Sequence, residues 1–265
     1  MLFQTIESDD QSTITREALE RALHADTHSF ITARLRGGTF ASARYPYLHV
    51  SAPKCACTKT KMMLWELEEL GPFPADIHDR PPGDQRLSAL TVTRDRAMEL
   101  LFGNSVFRFR VHRDPVRRLI SAYVDKIVRG RWAAVRGALE AFTRQFGWPP
   151  ETTVSFDQFA EFVCAQPDHQ RDQHWMSQWR LTLSEAIRYS FTVRVDHYAR
   201  DMAHVYDRLG VPRRKWPTFD SKENASGSEQ PSVSQATQDM IRRAYEKDCD
   251  PPPVVAHEGG MSSVR

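Results

Sequence analysis

Twice in this chain a short β-type run feeds through a tight turn straight into a helical run, and that alternation leaves few folds open. The first runs Tyr47-Leu48-His49-Val50, then Pro53 to Thr60, then a strongly apolar stretch from Thr60 to Leu70 stopped by Gly71-Pro72. In the second, Phe107, Phe109 and Val111 alternate with Arg108, Arg110 and His112, and Arg113-Asp114-Pro115 opens a helical run to Val128. Period-two alternation is a strand signature. A third short strand, Phe191 to Val195, precedes a helix from Tyr198 to Leu209 ended by Gly210 and Pro212. Strands separated by helices predict an α/β fold with a central parallel sheet flanked by helices on both faces.

The remaining elements follow from caps and breakers. Residues 13–25 read as an N-terminal helix with Thr13 or Thr15 as cap. A loop rich in Pro, Asp and Gly covers residues 71–86 and leads to a helix at Arg94 to Leu101. A polar helix is expected through Leu139 and Phe142, and Ser155-Phe156-Asp157-Gln158 reads as a capping box before Phe159, Phe162 and Val163. Residues 213–232 read as a polar linker and Gln235 to Tyr245 as the last helix. At 265 residues, 40% hydrophobic and 26% charged, the chain suits one α/β domain over residues 1–248, with a disordered tail at 249–265.

Charge and cysteine usage narrow the function classes. A net charge of +2 is no polyanion-coating surface, and the Arg113, Arg117, Arg118 cluster lacks aromatic interleaving, so nucleic acid is not an expected partner. No stretch approaches 18 consecutive apolar residues, and Met1 to Gln11 carries no basic-then-apolar leader. Cys55, Cys57, Cys164 and Cys249 form no disulfide framework, which predicts a reduced, cytoplasmic setting.

The two junctions carry the chemistry. A helix N-terminus after a strand offers backbone N–H groups with no intrahelical acceptor, a natural anion cradle. Around the first, Lys54 adds a movable positive charge and Thr58 a hydroxyl. At the second, Asp114 is a plausible N-cap with Pro115 in the first helical position, and Arg113 offers a planar fork for a phosphate. Two anion sites predict a ligand phosphorylated at both ends. Cys55 and Cys57 fall in this electropositive turn, where a depressed thiol pKa is expected.

Pro53-Lys54 through Lys61, with Arg113-Asp114-Pro115 and Leu119-Ile120-Ser121-Ala122-Tyr123, resembles the sulfotransferase superfamily, and within it the carbohydrate sulfotransferases of the chondroitin, dermatan, HNK-1 and heparan 2-O types. Asp172-Gln173-His174-Trp175, the stretch from Phe191 to Leu209, and Lys222-Glu223-Asn224 extend the likeness over roughly residues 45–248, with the nucleotide core at about 45–210. The resemblance implies a P-loop-like three-layer fold, 3′-phosphoadenosine 5′-phosphosulfate (PAPS) as donor, no metal, and a hydroxyl-bearing acceptor such as a carbohydrate or glycosylated small molecule. It places Lys54, Cys55, Ala56, Cys57, Thr58 and Lys59 around the 5′-phosphosulfate, Arg113 and Ser121 on the 3′-phosphate, and Lys222 and Asn224 in a covering loop. Ala56 stands where many members have Gly, so a turn with positive φ there is strained. Family members from animals carry a membrane anchor with no counterpart in this sequence, which implies a soluble, bacterial-type enzyme.

Transfer of a sulfuryl group needs charge stabilisation on the leaving phosphate and a base for the acceptor hydroxyl. Lys54 suits the first role. His78, which matches a histidine serving as base in the heparan 2-O relatives, and His174 are the candidates for the second. Each has a plainer reading: Lys54 as a solvated strand end, His78 as a surface histidine, His174 as a core histidine beside Trp175. Arg108 and Arg110 read as partly covered structural ion pairs. His24 and His28 at i, i+4, and the series Cys164, His169, His174, lack a full set of metal ligands. A kinase remains a rival, although it would want a Gly-Lys pair ending the loop. A non-catalytic module binding nucleotides or sulfated glycans is the third class.

Overall fold

The computed structural model describes residues 14–23, 30–42, 44–71, 93–129, 144, 147, 154–218 and 231–249. Helices α1 (Arg16–Ala22) and α2 (Phe30–Gly37) lead into strand β1 (Thr39–Ala41), then β2 (Tyr47–Val50) and helix α3 (Cys57–Leu67). Helix α4 (Arg94–Phe102), strand β3 (Phe107–His112) and helix α5 (Pro115–Tyr123) follow. After α6 (Phe156–Ala165) and the one-turn α7 (Gln178–Leu181) come β4 (Phe191–Arg194), α8 (Tyr198–Arg208), α9 (Gln235–Ala244) and α10 (Glu246–Cys249).

The sheet order is β1-β2-β3-β4. Strand β2 pairs parallel with β3, setting His49 opposite Phe109, and β3 pairs parallel with β4, setting Phe109 opposite Phe191. The edge strand β1 runs antiparallel to β2. Neither it nor α2 is predicted from the sequence, since three residues carry little periodicity.

Alternation along the strands sorts side chains into two layers. Tyr47, Phe109, Val111 and Val193 face a core built with α3 and α8, through Met63, Leu64, Met202, Val205 and Tyr206. Leu48 and Val50 face the other, built with α1, α2 and α4 through Leu19, Leu35, Leu100 and Leu101. A third cluster packs α5, α6 and α9 around Phe159, Trp175 and Ile241. The three-layer α/β architecture with a mostly parallel sheet matches the expectation.

Local caps fall where their side-chain chemistry dictates. Thr15 caps α1, Asp114 caps α5 with Pro115 in its first turn, and Ser155 with Gln158 forms the reciprocal capping box of α6. Two predicted boundaries move. Helix α3 begins at Cys57, not Thr60, because Lys54 at φ 67° and Ala56 at φ 51° turn the chain within four residues. The run predicted as α-helix to Val128 is α-helical only to Tyr123 and then widens to a π-turn over Val124–Val128.

Arg108 and Arg110 are buried, and among the described residues they bond to carbonyls and hydroxyls in place of the expected ion pairs. Arg108 donates to the carbonyls of Arg188, Leu100 and Gly103, and Arg110 to the hydroxyls of Thr192 and Ser184. Both lie on the face of β3 that backs onto Tyr189, where among the described residues no carboxylate comes within hydrogen-bond reach. The predicted polar helix through Leu139 and Phe142, the loop at 72–92 and the tail from residue 250 lie outside the described residues.

Candidate functional site

The site is built at the carboxyl ends of β2 and β3, where parallel sheets place their ligands. Between β2 and α3 the chain turns through Pro53–Ala56. Three separate arginines take the carbonyls of this approach. Arg34 Nη2 donates to Ser51 O, Arg118 Nε to Pro53 O at 2.9 Å, and Arg113 Nη1 to Lys54 O at 3.2 Å. In a planar trans peptide the C=O and N–H point in opposite directions. Drawing these carbonyls onto guanidinium groups therefore sets the corresponding N–H groups toward the other side. Helix α3 adds the next donors, and its N-cap, Ala56, supplies no side-chain hydrogen bond. The predicted positive φ at Ala56 is observed.

The second junction is organised differently. The Asp114 carboxylate accepts from Arg117 N at 2.9 Å and so occupies the N-terminus of α5. What remains for a ligand there is side chain: Arg113, and Ser121 two turns into α5. The Arg113 guanidinium is largely buried, which lowers its pKa, and its Nε has no partner among the described residues. A buried cation with an unused donor is costly, and an anion would satisfy it.

Gln178 locks the two junctions together. Its Oε1 accepts from Arg113 N at 2.9 Å and from Cys55 Sγ at 3.0 Å, while its Nε2 donates to Arg113 O at 2.8 Å. Gln178 is held in turn by Asp248, whose carboxylate accepts from Gln178 N and Trp179 N. The thiol expectation fails for Cys55. Its side chain is buried against Gln178, and burial pushes its pKa up to about 12. Arg118 and Arg113 pull in the other direction, but burial outweighs them.

Lys54 is well shielded, its side chain 16% exposed, and it pairs with Asp125 in the π-turn; Lys126 Nζ lies 3.3 Å from the same carboxylate oxygen. Burial lowers the Lys54 pKa, against the raising effect of Asp125. Lys59, in the first turn of α3, sits over the Tyr198 ring at 4.8 Å, and Tyr198 OH meets Thr60 Oγ1 at 2.8 Å.

His174 lies in the Asp172–Met176 turn. Asp172 Oδ1 accepts from both its backbone N–H at 2.9 Å and its ring Nδ1 at 2.7 Å. This fixes the ring and its tautomer, since a carboxylate can only accept. Arg118 ties the turn to the cradle: besides Pro53 O it reaches Met176 O at 2.7 Å and Gln173 O at 3.3 Å. His174 is half-buried, while its neighbour Trp175 is the core residue, edge-on to Phe159. His78, Lys222, Asn224, His24 and His28 lie outside the described residues. Among the described residues no group of three His, Cys, Asp or Glu side chains could hold a metal ion, and no helix is long and apolar enough to cross a membrane.

Comparison with known proteins decides the family. The model of the sulfotransferase family matches residues 38–255, most of the chain. The chain belongs to the sulfotransferase family. Carbohydrate sulfotransferase 14 of Mus musculus is 26% identical over 64% of this chain and 46% of its own length, and that of Danio rerio 23% over 63% and 47%. The Homo sapiens protein of the same name is 24% identical over 64% and 46%. This sulfotransferase-family chain thus spans about half the length of the curated relatives it matches. No solved structure gives a significant match.

The structure brings Arg113 and, through Arg118, the turn carrying His174 onto the Pro53–Lys54 turn, while Ser121 lies on α5. Sequence reasoning missed Arg34, Arg118, Gln178 and Asp125. Arg118 had a local signal, one turn after Asp114 on a helix leaving the site; Arg34 and Gln178 act on carbonyls and amides far away in sequence and had none.

Proposed function

We propose that this chain transfers the sulfuryl group of PAPS to an acceptor hydroxyl, on a carbohydrate or a glycosylated small molecule. The observation that carries it is the pairing of an α3 N-terminus whose N-cap, Ala56, offers no side-chain bond with a half-buried Arg113 whose buried Nε lacks a partner among the described residues. The carbohydrate class of the acceptor is taken from the curated relatives' name.

The residues fit a donor with phosphates at both ends. The α3 N-terminus and Lys54 hold the 5′ end, and Arg113 with Ser121 holds the 3′-phosphate. In the reaction the acceptor oxygen bonds to sulfur as the bond from sulfur to the 5′-phosphate oxygen breaks. Lys54 neutralises the charge growing on that oxygen. His174, its Nδ1 committed to Asp172, takes the acceptor's proton on Nε2. His78 is the rival base, and Lys222 and Asn224 would close over the nucleotide. The products are a sulfate ester and adenosine 3′,5′-bisphosphate.

The test is a thermal-shift panel. Adenosine 3′,5′-bisphosphate without magnesium should raise the melting temperature, since saturation to 100 times Kd stabilises a fold by about 2.7 kcal/mol. A larger rise with ATP and magnesium would favour a kinase and sink this reading.

A further inference from the structure

The cation expected to meet the donor is already occupied. Lys54 Nζ is bonded to Asp125 Oδ2 across 71 residues of sequence, in a pair shielded to 16% and 20% side-chain exposure. Asp125 reaches it from the π-turn Val124–Val128, one turn beyond Ser121. Such one-turn widenings re-aim a side chain and recur at functional sites. The carboxylate does not depend on Lys54 alone: Lys126 Nζ, 14% exposed, stands 3.3 Å from the same oxygen.

We infer that Asp125 is a positioning residue that holds Lys54 in the donor-free enzyme and surrenders it to the donor's 5′-phosphosulfate, Lys126 keeping the released carboxylate paired. The inference rests on reading the Pro53–Ala56 cradle as the donor site. Its physical basis is competition between two anions for one ammonium. A donor must displace Asp125 to engage Lys54, so part of its binding free energy is spent on that exchange. Releasing Lys54 weakens the pairing of a half-buried carboxylate, which is costly. Lys126, already in range, offsets that loss. The arrangement holds Lys54 in place in the donor-free enzyme, and Asp125 opposes the lowering effect of burial on its pKa.

The sign of the outcome is unusual for a residue at a binding site: removing it should improve binding. Calorimetric titration of adenosine 3′,5′-bisphosphate should show Asp125→Asn binding roughly three- to ten-fold tighter than wild type, the worth of a part-shielded ion pair. The same substitution in a Lys54→Ala background should change affinity by less than about two-fold, because no ammonium remains to be released. Asp125→Ser, which also removes the charge, gives the same comparison if Asp125→Asn melts. Weaker or unchanged binding in Asp125→Asn overturns the inference. Equal tightening with and without Lys54 also overturns it, leaving Asp125 as a simple repulsive charge. Failure of the wild-type protein to bind the bisphosphate is a different result: it removes the donor reading itself, and this inference with it.

Discussion

The two strand-to-helix junctions look alike as sequence and differ as chemistry. Each follows a parallel strand, each carries a basic residue, and each opens an apolar helix. At Pro53–Ala56 the turn is made by two left-handed non-glycine residues, the loop carbonyls are drawn onto arginines, and the N-cap residue of α3, Ala56, makes no side-chain cap bond. At Arg113–Asp114 the backbone is ordinary and the Asp114 carboxylate fills the helix terminus. In the proposed reading the first junction binds an anion through its backbone, the second through the side chains of Arg113 and Ser121. A backbone cradle accepts any phosphate, whereas a guanidinium fork selects by position. Recognition of the donor should then divide into a tolerant half and a selective half.

Substitution at each junction gives the largest expected effects. Lys54→Ala should lower turnover by roughly 10²–10³, the usual loss for one preorganised group on a developing anion. Arg113→Ala should weaken adenosine 3′,5′-bisphosphate binding ten-fold or more, the worth of a charge-assisted contact, while binding of the 5′-monophosphate barely changes. Titrations of both nucleotides against both variants check this. Equal losses for the two nucleotides in Arg113→Ala would mean that its bond to Lys54 O shapes the cradle, and the proposed division of labour would collapse.

A second test uses the strands that feed the junctions, since each carries a buried histidine. His49 in β2 stacks on Phe109 at 4.7 Å, and burial pulls its pKa down to about 3. His112, at the end of β3, meets the carbonyl of Asp248 at 2.7 Å, and burial lowers its pKa to about 4. Both folded values lie below the ordinary 6.5, so below that pH the unfolded chain binds protons that the native one refuses. Stability is complete above pH 6.5, falls as pH drops, and levels off near pH 3–4. Between pH 7 and 5 each histidine should cost about 2 kcal/mol, read by urea unfolding at the two pH values. His49→Leu should remove its share of that slope; an unchanged slope would mean that His49 titrates normally.

How much of this was legible follows from range in sequence. Asp114, Ser155 and Thr15 cap helices through hydrogen bonds that span three residues; the sequence alone predicts the first two and leaves the third between Thr13 and Thr15. The parallel strands were legible because Phe107, Phe109 and Val111 alternate. Strand β1 was not, being three residues long and paired with a segment beyond its own turn. The arginines that shape the cradle were illegible as such: Arg34 acts on Ser51 and Leu181, and Arg118 on Pro53 and Met176, contacts that exist only once the sheet is assembled. The Cys55 expectation failed for the same reason, since the thiol is covered by Gln178, 123 residues away in sequence. Asp125 was hidden by the π-turn, which no propensity signals.

The smallest effects bear most directly on why the junctions differ. Ala56 holds φ 51° and ψ 29°, a left-handed conformation that costs a residue with a Cβ about 1–2 kcal/mol. Glycine adopts it without that cost but loses more backbone entropy on folding. The steric term is the larger, so Ala56→Gly should stabilise the protein by roughly 0.5–1 kcal/mol, with nucleotide affinity unchanged because the same N–H groups face the same way. Asp114→Ala should do the reverse, costing about 1 kcal/mol through the lost cap. Paired urea titrations of the two variants measure both signs. A destabilised Ala56→Gly would mean that the left-handed turn is held without strain by its surroundings, with Arg113, Arg118 and Gln178 the groups responsible, and the contrast between a strained junction and a capped one would have to be given up.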